Sequence, residues 1–449
     1  MRRLSTLIRE SAKRSGPFNL QAIGKDLLHG TSVGQDILFR LSRGASEQTR
    51  EYTVQLPAGY PATAIRIRLT TPRLPPRPLL GFSDHVLDEC GRPTDTVLAV
   101  TTGGFAVSHD LGHTWKIVRL RDRQLQQHQI LHVKAIGNGE LLAQAAAERW
   151  RPGLPHEIEN LVLDLQGHVL ATTRVTGSHW HGCRSVDRSG RTLMYAEYPF
   201  EDPAGTHADR APSRAMRSRD RGRTWETVFL QQGTEIRHFH FLQARPGIPG
   251  EWWLTSGDSP MESRIWVSKD DGDHWEDLTS RFGDPVMIDG LNYPRTLFRL
   301  TDLVWEGDQV MWGTDDYLAR NNFPFPGARI FRSPSGHLSP KVAGKAKWQV
   351  RNIVDVEPFY IILTQGGLLT DVTPEERRPG VYLIPKTPIP GTPDMVHLFD
   401  VDGYSQTRTG FTYSRASRAA KDGIFFTYRA GTDVFPFGHK CLRWEVTFS

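Results

Sequence analysis

The sequence predicts an all-β fold assembled from repeated units, on three observations. An eight-residue phrase recurs as SHDLGHTW at 108–115, SRDRGRTW at 218–225 and SKDDGDHW at 268–275. The second and third copies begin 50 residues apart and the first two 110 apart, one unit and about two. Between them, 41 glycines and 30 prolines punctuate short alternating apolar runs, the pattern of many strands joined by tight turns.

Each copy reads Ser-x-Asp-x-Gly-x-(Thr/His)-Trp and sits between strand-like runs. In the third, SRIWVS leads in and HWEDL leads out. The phrase is therefore a hairpin turn. Gly272 supplies a positive φ, Asp270 accepts hydrogen bonds from loop N–H groups, and Trp275 packs down at the next strand. A unit without a clean copy belongs between the first two, and ENLVLDLQGHVLATTRV supplies it, with its turn at 164–167. RIFRSPSGHLS reads as a further decayed copy.

In residue type and spacing the phrase resembles the Asp-box, or bacterial neuraminidase repeat, of sialidase-like β-propellers. The resemblance implies four-stranded blades around a central channel. It places the box on the turn between a blade's third and fourth strands, away from the active face, so that Asp110, Asp220 and Asp270 are structural staples. Reading strands outward gives blades near 80–120, 125–176, 177–231, 234–281, 285–352, 353–402 and 403–449. The expectation is seven blades, with six as the alternative. The division is 1–79 for an N-terminal arm with ring-closing or accessory strands and 80–449 for the propeller. REYTVQLP and TAIRIRLTTP are the candidates to close the ring against the C-terminal CLRWEVTF, which would remove exposed sheet edges.

Composition bounds the function classes. With 38% hydrophobic and 23% charged residues the chain can bury a large core and lacks the signature of disorder. A net charge of +5 and a pI of about 9.1 are mild for 449 residues and weakly favour an acidic partner. The densest basic cluster, Arg214, Arg217, Arg219, Arg221 and Arg223, lacks interleaved aromatics and reads as surface, so no nucleic-acid partner is expected. Cys90, Cys183 and Cys441 have neither disulfide-framework nor zinc-site spacing and read as buried thiols. No membrane span and no signal-peptide core are seen, which makes the cytoplasm the default location, nonclassical export aside.

A propeller's chemistry gathers where each innermost strand begins and where the loops between second and third strands meet over the channel; this is fold-level analogy. The innermost strands of blades three and four read SHWHGCRSV and RHFHFLQA. Residues two apart on a strand share a side, so His179 with His181, and His238 with His240, form two pairs. The neighbouring loops add Glu197, Glu201 and Asp202, then Asp258 and Glu262, then Asp315 and Asp316, with Arg237 and Tyr317 alongside. Three uses compete. The four histidines with carboxylates suit a divalent metal such as manganese, iron, nickel or zinc. The same groups suit a metal-free acid and base pair. They also suit hydrogen bonding at blade joints. Of the adjacent aspartates, Asp315 is favoured over Asp316 as functional, since one of the two caps the turn.

Asp-box propellers resemble sialidases, other glycosidases and some polysaccharide lyases. A sialidase needs an Arg-Ile-Pro entry and an arginine triad; Arg66 in AIRIRL and Arg295 in YPRTLF lack that setting, so a typical sialidase is not expected. The expected function is cleavage of an acidic polysaccharide or oligosaccharide, by hydrolysis or uronate β-elimination. His238 and His240 serve as base or ligands, Arg237 as carboxylate clamp, Asp315 as acid or ligand and Tyr317 as acid. Glu197, Asp258 and Asp316 contact substrate. The alternative is a noncatalytic propeller that binds a glycan or protein in assembling or regulating a cell-surface polysaccharide. Trp252, Trp253, Trp266 and Trp275 read as core, and FPFPG at 323–327 and VFPFG at 434–438 as loop packing.

Overall fold

The computed structural model describes residues 49–70, 79–88, 92–101, 104–122, 124–125, 128–146, 157–176, 178–180, 185–199, 211–315, 327–364, 378–401, 412–416, 419–430 and 441–449. They form a seven-bladed β-propeller. Blade one is Leu79–Leu87, Pro93–Thr101, Gly104–Ser108 and Lys116–Arg119. Blade two is Gln129–Gly137, Glu140–Ala146, Glu157–Asp164 and Val169–Thr176. In blade three the first strand is split into Ser178–Trp180 and Val186–Ser189, and both pieces pair with Thr192–Pro199 before Ser213–Ser218 and Glu226–Gln231 follow. Blade four is Phe239–Ala244, Trp252–Ser256, Arg264–Ser268 and Glu276–Asp277.

A small hairpin, Val286–Ile288 with Leu291–Tyr293, and a 3-10 turn, Arg295–Phe298, come between blades four and five. Sequence reading would have spent these residues on blade five. Blade five is instead Leu303–Glu306, Gln309–Gly313, Ala328–Pro334 and Lys341–Ala346, so that Val350–Asp355 opens blade six, followed by Phe359–Thr364, Gly380–Pro385 and Val396–Asp400. Blade seven joins Thr412–Ala416, Ile424–Ala430 and Cys441–Phe448 to two N-terminal strands, Ala64–Thr70 and then Thr49–Gln55. Ile67 pairs with Val446 there, tying the two ends of the chain into one sheet.

The alternation of each strand explains the ring. Trp252 and Leu254 point into one apolar cluster, shared with Met194 and Ala196 of blade three. Trp253, one residue on, points into another, shared with Trp312 and Phe331 of blade five. Every neighbouring pair of blades is joined by such a cluster, including the closing joint, where Val97 and Ala106 of blade one meet Ile424 and Phe426 of blade seven. A sheet buried on both faces gains burial on both, and closing the ring leaves no blade with a bare face. Trp252 and Trp253 are wholly buried, Trp266 nearly so, and Trp275 is half-buried.

The recurring turn has one geometry in all three copies. Gly112 N, Gly222 N and Gly272 N donate to Ser108 Oγ, Ser218 Oγ and Ser268 Oγ at 2.8, 2.7 and 2.8 Å. The serine hydroxyl donates in turn to the aspartate, and the aspartate accepts from the main-chain N–H four residues on, of Thr114, Thr224 or His274. Each tryptophan indole N–H closes the turn on the glycine carbonyl, at 3.0 to 3.1 Å. Gly272 has φ +91°, a conformation that calls for glycine, and a Cβ there would lie 2.5 Å from the flexible end of the Met194 side chain of blade three. Of the arginines around the second copy, Arg217 is buried rather than on the surface, held by Glu226 and by Asp273 of blade four.

Candidate active site

In an antiparallel blade, the entry to the first strand and the turn between the second and third strands share one end; the other two turns share the opposite end. The three repeated turns join third and fourth strands. Arg237, His238, Asp258, Arg299, Asp315 and Arg351 all lie at the opposite end, at strand entries or second-to-third turns.

His238 immediately precedes the first strand of blade four, and His240 sits at an irregularity between Phe239, paired with Ser256, and Phe241, paired with Thr255. Such a bulge re-aims a side chain. Both imidazoles turn to one point, with Nε2 atoms 2.9 Å apart, and both residues are about 4% exposed or less. The Tyr198 ring lies against His238, centroids 4.0 Å apart. Asp258 brings Oδ2 to 3.5 Å from His238 Nε2 and Oδ1 to 3.8 Å from His240 Nε2. The turn that delivers Asp258 runs through Gly257 at φ +155°, where a Cβ would lie 3.1 Å from the Arg299 side chain.

Arginines knit this cluster to the next two blades. Arg237 reaches Asp258 Oδ2 at 3.1 Å and Arg299 reaches Asp258 Oδ1 at 3.0 Å. Arg299 Nε also faces Asp315 Oδ2 at 3.7 Å, and Arg351 holds Asp315 Oδ1 at 2.8 Å. The backbone fixes Asp315: its N–H donates to the Arg299 carbonyl at 2.8 Å, while Thr314 N donates to Arg329 O and Thr314 O accepts from Val350 N. The result is an alternating row, Arg237, Asp258, Arg299, Asp315, Arg351, across three blades. The aspartates are the covered members, and Arg237, with 38% of its side chain exposed, is the most open.

Of the sequence-selected residues, the structure thus brings together Arg237, His238, His240, Asp258 and Asp315. Glu197 belongs to a strand rather than a loop, is 1% exposed, and is gripped by Arg214 at 2.6 and 2.8 Å. That grip raises the Arg214 pKa. Glu262 is buried behind the Asp258 turn, where its carbonyl accepts from Ser256 Oγ. The backbone of His179 pairs with Tyr198, but its side chain, like that of Cys441, lies outside the described residues. His181, Glu201, Asp202, Asp316, Tyr317, Cys90, Cys183, the arm before 49, 434–438 and all of 323–327 but Gly327 lie outside them as well. Arg295 is a structural group, 5% exposed, donating to the Phe282 carbonyl and to Thr279 Oγ1. Asp110, Asp220 and Asp270 are occupied by their own turns.

Sequence reading missed Arg299 and Arg351, and took Arg214, which holds Glu197, for a surface charge. The signal was available in part: Arg237, Arg299 and Arg351 all stand at the entry to a first strand. It also missed His128, at the entry to blade two, whose Nε2 lies 3.4 Å from Glu159 Oε2.

The donor set of His238, His240 and Asp258 fits a divalent cation. The three side chains each offer one atom, all within 4.8 Å of one another. Two ligands about 2.1 Å from a common ion stand roughly 3.0–3.4 Å apart, and the observed separations bracket this. Imidazole with carboxylate suits first-row metals. The 2.9 Å separation is equally that of an N–H···N hydrogen bond between one ring that donates and one that accepts.

No protein-family model matches the sequence, and no curated protein does. Among solved structures, the chain is similar to an oligogalacturonate lyase determined in complex with manganese. That match has a TM-score of 0.53 and 10% identity, covering 90% of this chain and 98% of that one. It is also similar to the oligogalacturonate lyase of Vibrio parahaemolyticus, with a TM-score of 0.53 and 8% identity over 89% and 98% of the two chains. At such identities the likeness is one of fold. No helix among the described residues is long and apolar enough to cross a membrane.

Proposed function

We propose that this propeller cleaves an acidic polysaccharide or oligosaccharide by β-elimination at a uronate. The observation that carries the reading is the convergence of His238, His240 and Asp258 beside three arginines from three blade joints. Elimination at a uronate needs its carboxylate neutralised so that the C5 proton becomes acidic, a base for that proton, and protonation of the departing O4. Three arginines against two aspartates leave positive charge for an anionic substrate, and the exposed face of Arg237 is the natural clamp. The manganese-bound lyase of the same fold supports this assignment.

A divalent ion held by His238, His240 and Asp258 would supply Lewis-acid neutralisation of the substrate carboxylate. His238 and His240 serve either as its ligands or, metal-free, as the base; one Nε2 lone pair cannot do both. Asp315 faces two guanidinium groups, a setting that suits a charge partner of the arginines better than the acid its sequence position suggested. We further infer that the three repeated turns are Asp boxes in the family sense; their shared hydrogen-bond pattern supports this.

The test is a panel of oligouronates and neutral controls, assayed with added Mn2+ and with chelator. Ultraviolet absorbance from an unsaturated uronate product is the expected result. New reducing ends without that absorbance would replace the lyase by a hydrolase. Saturable binding with no product would leave a noncatalytic glycan-binding propeller.

A further inference from the structure

We infer that Arg299 is a positioning residue that makes the His238–His240–Asp258 cluster and Asp315 one coupled unit; the inference rests on the cation-assisted reading above. Asp258 and Asp315 belong to different blades and share one guanidinium. Arg299 Nη2 lies 3.0 Å from Asp258 Oδ1, while its Nε is 3.7 Å from Asp315 Oδ2. That Nε is buried and makes no hydrogen bond, so the group holds Asp258 closely and Asp315 loosely. The fork is rigidly mounted. Its carbonyl accepts from Asp315 N at 2.8 Å, and a Cβ added at Gly257 would stand only 3.1–3.2 Å from its Cβ and Cα, so the Asp258 turn passes close to it.

The coupling follows from competition for one donor fork. Asp258 is pulled by Arg237 on one oxygen and by Arg299 on the other, and these two pulls set how its carboxylate faces the imidazoles. Asp315 restrains Arg299 from closing fully on Asp258. If Asp315 loses its charge, Arg299 is free to pair with Asp258 through both nitrogens and draws it from the histidines. Asp315 thereby governs cation affinity without being a ligand. Outer partners of metal ligands typically alter affinity about 10–100-fold. Arginine rather than lysine is required, since bridging two carboxylates uses two N–H directions of a planar fork.

The experiment is isothermal titration of the full chain with MnCl2 alone, in wild type, Asp315→Asn, Arg299→Lys, Arg299→Gln and the two combinations with Asp315→Asn, each checked for an unchanged melting transition. Asp315→Asn is expected to weaken Mn2+ about tenfold when Arg299 is present, and by less than about twofold in either Arg299 background. An undiminished effect of Asp315→Asn in the Arg299→Lys background would show plain through-space charge and overturn the proposal. If the wild type takes up no Mn2+, the cation reading fails on its own. The bridge is then read from a double-mutant cycle of Asp258→Asn with Asp315→Asn in urea unfolding. Coupling between these two non-touching residues that vanishes with Arg299→Lys supports it, and none in the wild type overturns it.

Discussion

The carboxylates at the two ends of the blades keep different company. At the repeated-turn end, Asp110, Asp220 and Asp270 take their hydrogen bonds from residues two to four positions away. At the channel end, Asp258 is bound by Arg237 of its own blade and Arg299 of the next, Asp315 by Arg299 of its own blade and Arg351 of the next, and Asp258 lies against two buried imidazoles. Local partners make a turn that folds by itself and holds its own blade. Partners from the next blade appear only when adjoining blades have packed together, which suits a site that depends on more than one blade.

Exchanging histidine for alanine sharpens the contrast most. Replacing His238 and His240 together is expected to lower turnover about 10²–10⁴-fold, the usual contribution of a positioned proton-transfer group, while circular dichroism and the melting transition stay near wild type. Equal loss of turnover from Asp220→Ala, measured per folded molecule, would erase the distinction between the two ends. Gly257→Ala should come next. Its φ of +155° disfavours a side chain, and the added methyl would press on Arg299, so Asp258 and Arg299 are expected to part. A loss of about tenfold or more in kcat/KM with the overall fold intact is the outcome anticipated. Unchanged kinetics would detach that turn from the chemistry.

The third comparison is of stability alone. Asp220→Ala removes acceptors for Thr224 N, Thr224 Oγ1 and Ser218 Oγ, and should cost about 1–2 kcal/mol in urea unfolding with kcat per folded molecule preserved. No change in unfolding would mean that water replaces the staple without penalty.

The same division governs what the sequence reveals. The repeated turn is spelled within eight residues, so its glycine conformation, its aspartate acceptors and its tryptophan packing are legible directly. The seven blades followed from its spacing and from alternation. The His238 and His240 pair was legible from its two-residue spacing, although the structure brings the rings together through a bulge at His240 rather than by regular strand alternation. Arg299 and Arg351 were not. Each is an ordinary arginine in its own segment, and acquires meaning only from Asp258 and Asp315 on the adjoining blade. Arg217 shows the converse error: a charge-dense stretch suggests surface, yet the residue is buried because Asp273 of the next blade reaches it. The hairpin before blade five was misread because two short alternating runs look alike whether they build a blade or decorate its joint.

The smallest effect lies within the repeated turns themselves and separates the third copy from the first. Where the first has Thr114, the third has His274, whose Nδ1 lies 2.5 Å from Asp270 Oδ2. The hydrogen bond that its ring donates to Asp270 raises the His274 pKa above its ordinary 6.5, and the His274 backbone and ring N–H groups lower Asp270 to about 2. Burial pushes Asp110 upward, but hydrogen bonds from Thr114 and Ser108 outweigh it and bring that carboxyl to about 2 as well. The signs then differ. A lowered carboxylate contributes above its unfolded pKa and loses that contribution as pH falls toward about 2, which both turns share. A raised imidazole contributes fully below 6.5 and loses its contribution as pH rises through the folded value, which only the third turn does. The indole N–H resonance of Trp275 should therefore shift, and exchange faster, as pH rises through the neutral range. His274→Thr should remove that response. A Trp275 signal that ignores pH in the wild type would show that the exposed imidazole leaves the carboxylate to water, and that the third turn is held as the first is.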